Sequence, residues 1–325
     1  MTASADAPET APPISEDLVR LAYQLLLGRE VESDRALRAH MALGTVNALR
    51  KAIMSSAEFK AKMVHVPAAA PKWVATDVLD RFTMWVNLSD RYVSYGCLNN
   101  SWEPSETAYV TSRLRAGDVL LDIGANIGWF SLVATKCIGR NGMVHAFEPH
   151  PGTAAMLKRT VADNDLRSQV SVWEFALSDR WGKADLNWGR GTDNPGGAFL
   201  SAEGSSERGK FESVTVTTAV LDELLPELAP DLIKIDVEGA EARALHGAQR
   251  AIRRRRPAIL SELYPRQLQT VSGVSPAQYI EQMKDLGYSC FLLEEGRPTR
   301  RLSGFPVDLK RELVSVVFEY TGKLT

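Results

Sequence analysis

Four acidic side chains lie at, or just after, the carboxyl ends of short apolar runs: Asp122, Glu148, Asp236 and Glu262. Ligands of open α/β sheets bind beyond the carboxyl ends of the strands. A single acid at such a place often caps the following helix, but four at equivalent places favour a shared ligand site. We therefore predict that these carboxylates converge on one rim of a sheet.

The segment after the first of these runs predicts a tight turn into a helix. Gly124 and Gly128 allow the backbone to turn closely and allow a ligand to approach the helix N-terminus. Asn126 stands where a dinucleotide fingerprint needs its second glycine, which disfavours an NAD enzyme. Asp122 suits a ligand with an amino group, and Glu148, 20 residues beyond Gly128, suits a ribose diol. S-adenosylmethionine has both parts.

The run that ends at Asp236 carries the candidate catalytic residues. A two-residue strand period puts Lys234 and Asp236 on one side, together with Glu238 if the strand continues that far. Asp236 is the first candidate for a catalytic base, with Glu238 and Glu262 as the next. Lys234 and Asp236 are alternatively a purely structural ion pair. Carboxylates at this rim also suit Mg²⁺, although we predict no metal site.

Short apolar strands alternate with helical segments from Val119 onwards, which predicts βαβ units and a mostly parallel, doubly wound α/β sheet. The segment from Asn187 to Ser213 is rich in Gly, Ser, Asn and Asp, which predicts a long irregular loop in the position of a substrate lid. The predicted strands are Val119 to Ile123, Met143 to Phe147, Val170 to Ala176, Leu232 to Val237, Ala258 to Leu263 and Leu313 to Phe318.

The N-terminal part of the chain has a different pattern. Residues 1–14 predict a flexible tail, and residues 15–64 a small all-helical module whose periodic segments stop at Gly28 and Gly44. Residues 65–75 are rich in Pro and Ala and predict a linker. The catalytic domain is then expected over residues 76–325.

Composition limits the class of protein. The 325 residues carry a formal net charge of -2, which gives no attraction to nucleic acid or to an anionic membrane. Cys97, Cys137 and Cys290 are far apart and fit neither a disulfide framework nor a zinc site. The chain shows no basic, apolar signal sequence and no membrane-spanning run, so we expect a cytoplasmic protein without an integral membrane segment.

Several strings together resemble the FkbM family of class I methyltransferases, in order from about Ser94 to Phe318. They are Val119-Leu-Leu-Asp-Ile-Gly-Ala-Asn-Ile-Gly-Trp-Phe130, Val144-His-Ala-Phe-Glu-Pro-His-Pro151, Ala176-Leu-Ser-Asp179, Asp193-Asn-Pro-Gly-Gly-Ala198, Ile233-Lys-Ile-Asp-Val-Glu-Gly-Ala-Glu241 and Ile259-Leu-Ser-Glu262. The segments Leu25 to Glu30 and Ser56 to Phe59 also resemble phycobilisome-linker-like helical modules, without the usual Pro-Asp after Glu30.

The FkbM resemblance implies a seven-stranded sheet and a site for S-adenosylmethionine. It implies that Asp122, Gly124, Asn126 and Gly128 hold the methionine end, that Glu148 holds the ribose, and that Phe175 and Ala176, in the turn beginning at Glu174, hold the adenine. Phe130 and Asp236 complete the expected cofactor site. The family's acceptors are hydroxyls of sugars, glycolipids and macrolides.

We therefore expect an S-adenosylmethionine-dependent O-methyltransferase whose acceptor is a hydroxyl of a saccharide, glycolipid or polysaccharide. Two alternatives stay open: methylation of another small molecule, a protein or a nucleic acid, and a scaffold that binds glycan or cofactor without turnover. The near-neutral charge argues against nucleic acid. The sequence leaves the oligomeric state open.

Overall fold

A computed structural model describes residues 14–59, 73–90, 92–189, 197–202 and 211–322. The chain divides into two compact units, Met1–Ala69 and Ala70–Thr325. The predicted tail lies outside the described residues, except for Ile14, which is buried instead of mobile. The linker predicted over residues 65–75 ends too late, because a strand already begins at Trp73.

Three short helices form the described part of the first unit: α1 (Glu16–Leu27), α2 (Asp34–Met41) and α3 (Val46–Ser55). Each begins at a hydroxyl N-cap that accepts a backbone N–H, namely Ser15, Ser33 and Thr45 respectively. Gly28 ends α1 in the left-handed conformation that favours glycine. The helices predicted from periodicity are therefore present.

The second unit opens with a hairpin, β1 (Trp73–Val78) and β2 (Phe82–Asn87), followed by α4 (Val93–Leu98) and α5 (Pro104–Arg113). Its principal sheet has eight strands and not the predicted seven. In chain order they are β3 (Val119–Ile123), β4 (Met143–Phe147), β5 (Val170–Trp173), β10 (Leu232–Ile235), β11 (Ala258–Leu263), β12 (Tyr288–Glu294), β13 (Arg297–Leu302) and β14 (Val314–Tyr320).

The spatial order of this sheet is β13-β12-β14-β11-β10-β3-β4-β5. The strands from β11 to β5 are parallel, whereas β14, β12 and β13 pair antiparallel. From β3 the chain proceeds to β4 and β5 on one side and later to β10 and β11 on the other. The carboxyl ends of β3 and β10 are therefore neighbours at the point where strand order reverses, which is where such sheets bind ligands.

Helices cover both faces of the sheet. Leu120 packs into one buried cluster with residues of α5, α6 (Trp129–Ile138) and α7 (Pro151–Asp163). Leu121, the next residue of β3, packs into a second cluster with residues of α9 (Glu241–His246), α10 (Gln249–Arg255) and α12 (Pro276–Asp285). Strands buried on both faces explain the mostly apolar runs of the sequence.

The remaining described helices are α8 (Leu221–Leu224), α11 (Pro265–Gln267), a π-helix (Leu268–Ser272) and a 3₁₀-helix (Val307–Leu309).

Residues 190–196 and 203–210 of the irregular loop predicted from Asn187 to Ser213 lie outside the described residues, and most of its described residues belong to strands of a second sheet. It consists of β6 (Ala176–Leu177), β7 (Gly182–Gly189), β8 (Phe199–Ala202) and β9 (Phe211–Ala219), in the order β6-β9-β7-β8. In this sheet β7 pairs antiparallel with both β8 and β9, whereas β6 pairs parallel with β9. Within the described ranges, no helix has the length and apolar character needed to span a bilayer.

Candidate active site

The turn between β3 and α6 is held tightly against its neighbours. A Cβ on Gly124 would lie 1.9 Å from the backbone carbonyl oxygen of Asp236, and one on Gly128 would lie 2.4 Å from Leu157. Gly124, Gly128 and Asn126 have positive φ values of 78°, 98° and 50° respectively. The glycines are thus required by close protein contacts as well as by the turn itself, a reason that the sequence did not reveal.

Glu148, just beyond β4, is fixed beside this turn. One carboxylate oxygen accepts the backbone N–H of Asn126 at 2.9 Å, and the other accepts that of His150 at 2.8 Å. Burial raises the pKa of Glu148 to about 7, although both backbone donors oppose the shift. The structure therefore brings the predicted ribose acid and the predicted methionine turn into direct contact.

Asp122 is fully buried at the end of β3. Its Oδ2 accepts the Ser131 hydroxyl of α6 at 2.7 Å, while its Oδ1 has no hydrogen-bond partner among the described residues. Burial raises the pKa of Asp122, and the Lys234 ammonium opposes that shift. An unpartnered buried carboxylate oxygen is costly, so this atom offers an acceptor to a ligand donor that reaches the turn.

The Lys234 ammonium is held between a carboxylate and an aromatic ring. Its Nζ lies 3.2 Å from Asp236 Oδ2 and 4.8 Å from the centre of the Phe130 ring. Burial alone lowers the pKa of Lys234, but the carboxylates of Asp236, Glu103 and Asp122 outweigh burial and raise the pKa above its ordinary value. Lys234 is therefore a permanent cation. Phe130, predicted to contact cofactor, is itself buried and contacts this cation.

Three carboxyl groups meet beside this pair. Oxygen atoms of Glu103, Asp236 and Glu262 all lie within 4.8 Å of one another. The cavity next to them is also lined by Glu106 and Ser315, which are hydrogen-bonded to each other. Two of the predicted carboxylates thus converge here, whereas Asp122 and Glu148 adjoin the cofactor turn.

Ionisation of all three carboxyls is unfavourable, because one ammonium does not offset the repulsion among three carboxylates. Burial raises the pKa of Glu103 to about 8, with Lys234 opposing and Asp236 reinforcing the shift. Burial, reinforced by Asp236 and Glu103, raises the pKa of Glu262 well above its ordinary value. Near neutral pH this cluster therefore holds exchangeable protons. The same three oxygens have the spacing to accept a divalent cation.

Glu238 does not extend the strand as the two-residue period predicted, because β10 ends at Ile235. It lies in the following loop with a φ of 51°. Burial, together with the Asp236 and Glu241 carboxylates, raises the pKa of Glu238 to about 8. Glu241 accepts the backbone N–H groups of Val237 and Gly239, which fixes this loop.

The predicted adenine turn follows β5. Trp173, the last residue of that strand, accepts the Glu148 backbone N–H at 3.0 Å, so the turn begins next to the ribose acid. Phe175 packs edge-on against Trp181, with 6.0 Å between ring centres, and Ala176 begins β6 as a buried residue. These positions put both residues at the same rim as Glu148.

A family model described as the methyltransferase FkbM domain matches residues 122–290, more than half of the chain. The chain belongs to the FkbM methyltransferase family. The match begins after α5, and the predicted likeness of the N-terminal helices to phycobilisome-linker modules finds no support in the comparisons.

Three relatives indicate how much of this chain is similar to known methyltransferases. Methyltransferase sdnD of Sordaria araneosa is 30% identical over 44% of this chain and 65% of its own length. The 31-O-demethyl-FK506 methyltransferase FkbM of Streptomyces tacrolimicus is 29% identical over 43% of this chain and 62% of its own. The hexuronic acid methyltransferase AglP of Haloferax volcanii is 30% identical over 42% of this chain and 52% of its own length. The chain thus spans less than two thirds of each.

Among solved structures, the methyltransferase FkbM of Methylobacillus flagellatus is 17% identical. The alignment covers 92% of this chain and 58% of that one, with a TM-score of 0.41.

Glu103 is the site residue that sequence reasoning missed. It precedes the family match and lies on the N-terminal side of α5, far from Asp236 along the chain. The one signal in the sequence was the pair Glu103-Pro104, an acid immediately before a proline that opens a helix. That signal predicts a helix start, and only the fold shows that the carboxyl joins Asp236 and Glu262.

Proposed function

We propose that this FkbM-family chain is an S-adenosylmethionine-dependent O-methyltransferase whose acceptor is a hydroxyl of a saccharide, glycolipid or polysaccharide. The observation that carries the proposal is the contact between Gly124 of the turn and the backbone of Asp236. That contact puts a cofactor-type turn directly beside the carboxyl-lined cavity. Transfer between two bound molecules needs such adjacency, because the reacting atoms must be held in line.

The residues at the turn suit the cofactor. The helix N-terminus at α6, the Asp122 oxygen without a partner and the fixed Glu148 carboxylate offer acceptors and polarity for an amino group, a carboxylate and a ribose diol. We assign the methionine end to Asp122 and the segment from Gly124 to Gly128, the ribose to Glu148, and the adenine to Phe175 and Ala176. The bound cofactor supplies an electrophilic methyl group on a sulfonium.

The cavity suits a hydroxyl acceptor. Its lining combines the carboxyl groups of Glu103, Glu106, Asp236 and Glu262 with the hydroxyl of Ser315 and the single cation Lys234. Such a lining accepts hydrogen bonds from hydroxyl groups and repels an acceptor whose reacting part is anionic. The relatives named for O-methylation of FK506 and for hexuronic acid methylation also act on oxygen-rich acceptors by their names.

Within the cavity, Asp236 and Lys234 have separate parts. The Asp236 carboxyl, 3.2 Å from the Lys234 ammonium, accepts a hydrogen bond from an acceptor O–H and orients it. The burial of the Lys234 side chain strengthens its electrostatic interaction with Asp236. An alkanol is scarcely ionised near neutrality, so a carboxyl of the cluster must also receive its proton.

The proposal is tested with S-adenosylmethionine carrying a tritiated methyl group. The protein is incubated with fractionated neutral glycans, anionic glycans, glycolipids, total RNA and unmodified protein. We expect label in a glycan or glycolipid fraction, with Glu148→Gln reducing both labelling and S-adenosylhomocysteine affinity. Label confined to RNA or protein contradicts the acceptor class, and the absence of cofactor binding by calorimetry contradicts the activity.

A further inference from the structure

Glu103 lies at the start of α5, but its side chain does not cap that helix. It is the N-cap residue, yet its side chain makes no capping hydrogen bond, although acids at this position usually bind the free N–H groups. Its backbone is left-handed, with a φ of 40° and a ψ of 69°. A non-glycine residue in this conformation is strained, and such strain is concentrated at functional sites. The carboxyl instead lines the cavity with Asp236 and Glu262.

The position of Glu103 is tied to the cofactor turn. Trp129, immediately after Gly128, donates its indole N–H to Thr107 Oγ1 at 2.9 Å. The Thr107 hydroxyl in turn donates to the Trp102 carbonyl at 2.8 Å, one residue before Glu103. These hydrogen bonds connect the turn proposed for the methionine end with Glu103, so the two keep a fixed position relative to each other.

Asp236 and Glu103 have different surroundings within the cluster, which suit Asp236 to accept a hydrogen bond and Glu103 to accept a proton. Lys234 Nζ donates a hydrogen bond to Asp236 Oδ2 at 3.2 Å, so Asp236 already has a cationic partner. Glu103 has no cation within salt-bridge distance among the described residues. Burial, reinforced by the neighbouring carboxyls and opposed by the Lys234 ammonium, favours proton uptake at Glu103. The raised pKa of about 8 at Glu103 agrees with this geometry.

We propose that Glu103, supplied from outside the region that the family model matches, is the catalytic base that receives the proton of the acceptor hydroxyl. The inference rests on the proposed function. As the hydroxyl oxygen forms its bond to the methyl carbon, its O–H bond breaks and the proton passes to the Glu103 carboxylate. The methyl–sulfur bond breaks with its electron pair on sulfur, so the sulfonium becomes a neutral thioether. Asp236 orients the hydroxyl.

Turnover then rises with pH as Glu103 loses its proton, provided that the other groups around it stay as they are. The charged and titratable groups that face Glu103 are Lys234, Asp236, Glu106, Asp122 and Glu262. Since Glu262 also holds a proton, the profile belongs to the cluster, and its midpoint is expected near 8. Removal of Glu103 should abolish this limb of the profile.

The test uses the full chain with Glu103→Gln, Glu103→Asp and, as a matched surface control, Glu281→Gln, whose native side chain pairs with Lys284 outside the site. The glycan fraction that accepts label from wild type serves as acceptor. We expect Glu103→Gln to lower kcat by roughly 10²- to 10⁴-fold with S-adenosylhomocysteine affinity within about twofold. Glu103→Asp should recover part of kcat and the pH limb, and Glu281→Gln should match wild type.

A second measurement needs no acceptor. Carbon-13 NMR of protein labelled at the glutamate carboxyls, with S-adenosylhomocysteine bound, should show a resonance that titrates near pH 8 and disappears in Glu103→Gln. A Glu103 resonance that stays ionised throughout the pH range from about 6 to about 9 overturns the proposal even if no glycan accepts label. If glycan is labelled but Glu103→Gln keeps kcat and the pH limb, the proton role is wrong while the proposed function stands. Loss of wild-type turnover with chelator, restored by Mg²⁺, also overturns it, because the cluster then binds a cation.

Discussion

Gly124 and the backbone of Asp236 are packed so closely that a Cβ at position 124 would lie 1.9 Å from the Asp236 carbonyl oxygen. Since that carbonyl is main chain, it cannot move aside as a flexible side chain does. The contact joins the end of β3 to the end of β10 and thereby sets the separation between the turn that we propose for the cofactor and the cavity that we propose for the acceptor.

We therefore expect Gly124→Ala to impair both stability and cofactor binding. A left-handed alanine costs about 1–2 kcal/mol, and displacement of packed backbone adds about 1–3 kcal/mol. Gly117→Ala is the matched control, because Gly117 has a φ of +89° but a Cβ there would meet no described atom within 4 Å beyond its chain neighbours. Urea unfolding and calorimetry with S-adenosylhomocysteine measure the two effects. Equal losses in both variants would show that the contact with Asp236 is unimportant.

A second prediction concerns the pair Lys234–Asp236. Asp236→Asn keeps the shape but leaves a buried ammonium without its nearest anion, and such losses cost about 3–5 kcal/mol of unfolding free energy. Lys234→Met combined with Asp236→Asn should recover much of that loss, since no charge of the pair is then left buried. Chemical unfolding of the two single variants and the double variant tests this. Additive losses in the double variant would mean that the two side chains do not interact.

The central strands were predictable because they are buried on both faces. The predicted runs Val119 to Ile123, Met143 to Phe147 and Ala258 to Leu263 coincide with β3, β4 and β11. Each is a short, mostly apolar segment, as expected for a strand covered on both faces. By contrast, β13 was missed because five of its six residues are exposed, and its sequence Arg-Pro-Thr-Arg-Arg-Leu carries no strand pattern.

The carboxyl rim was predictable from chain position, but its grouping was not. Parallel strands predict where Asp122, Glu148, Asp236 and Glu262 lie along the rim, because carboxyl ends share one edge. Which acids touch depends on turns with positive φ and on α5, whose N-terminus carries Glu103 into the cavity. Such long-range packing leaves no periodic signal in the sequence.

A third prediction is that the stability of the protein falls as pH rises from about 5 to about 8. Glu238 has a raised pKa of about 8 in the folded state, against an ordinary value of 4.5. Between these values the folded chain holds a proton that the unfolded chain has released, so unfolding becomes more favourable as pH rises. The effect of one such group approaches about 1.4 kcal/mol per pH unit.

Glu238→Gln should therefore flatten this slope and should stabilise the protein relative to wild type at about pH 7.5 more than at about pH 5. Denaturant unfolding at several pH values between about 5 and about 8.5 measures the slope. The surface variant Glu281→Gln controls for loss of a negative charge. An unchanged slope in Glu238→Gln would contradict the raised pKa of that side chain.

The last prediction concerns Glu148 and the cofactor. Glu148 has a raised pKa of about 7, so a substantial fraction is protonated just below neutrality. Ribose hydroxyls donate more strongly to an ionised carboxylate than to a neutral carboxyl. The affinity for S-adenosylhomocysteine should therefore increase as pH rises from about 5.5 and should level off above about 7.5.

Glu148→Ala should weaken binding by roughly 2 to 4 kcal/mol and remove this pH dependence, because the charged acceptor is lost. Glu148→Gln separates affinity from folding, since it preserves side-chain volume beside the Asn126 and His150 backbone N–H groups. Calorimetry across this pH range, with a melting curve for each variant, distinguishes the two effects. Wild-type affinity and wild-type pH dependence in a folded Glu148→Gln protein would remove Glu148 from the ribose site.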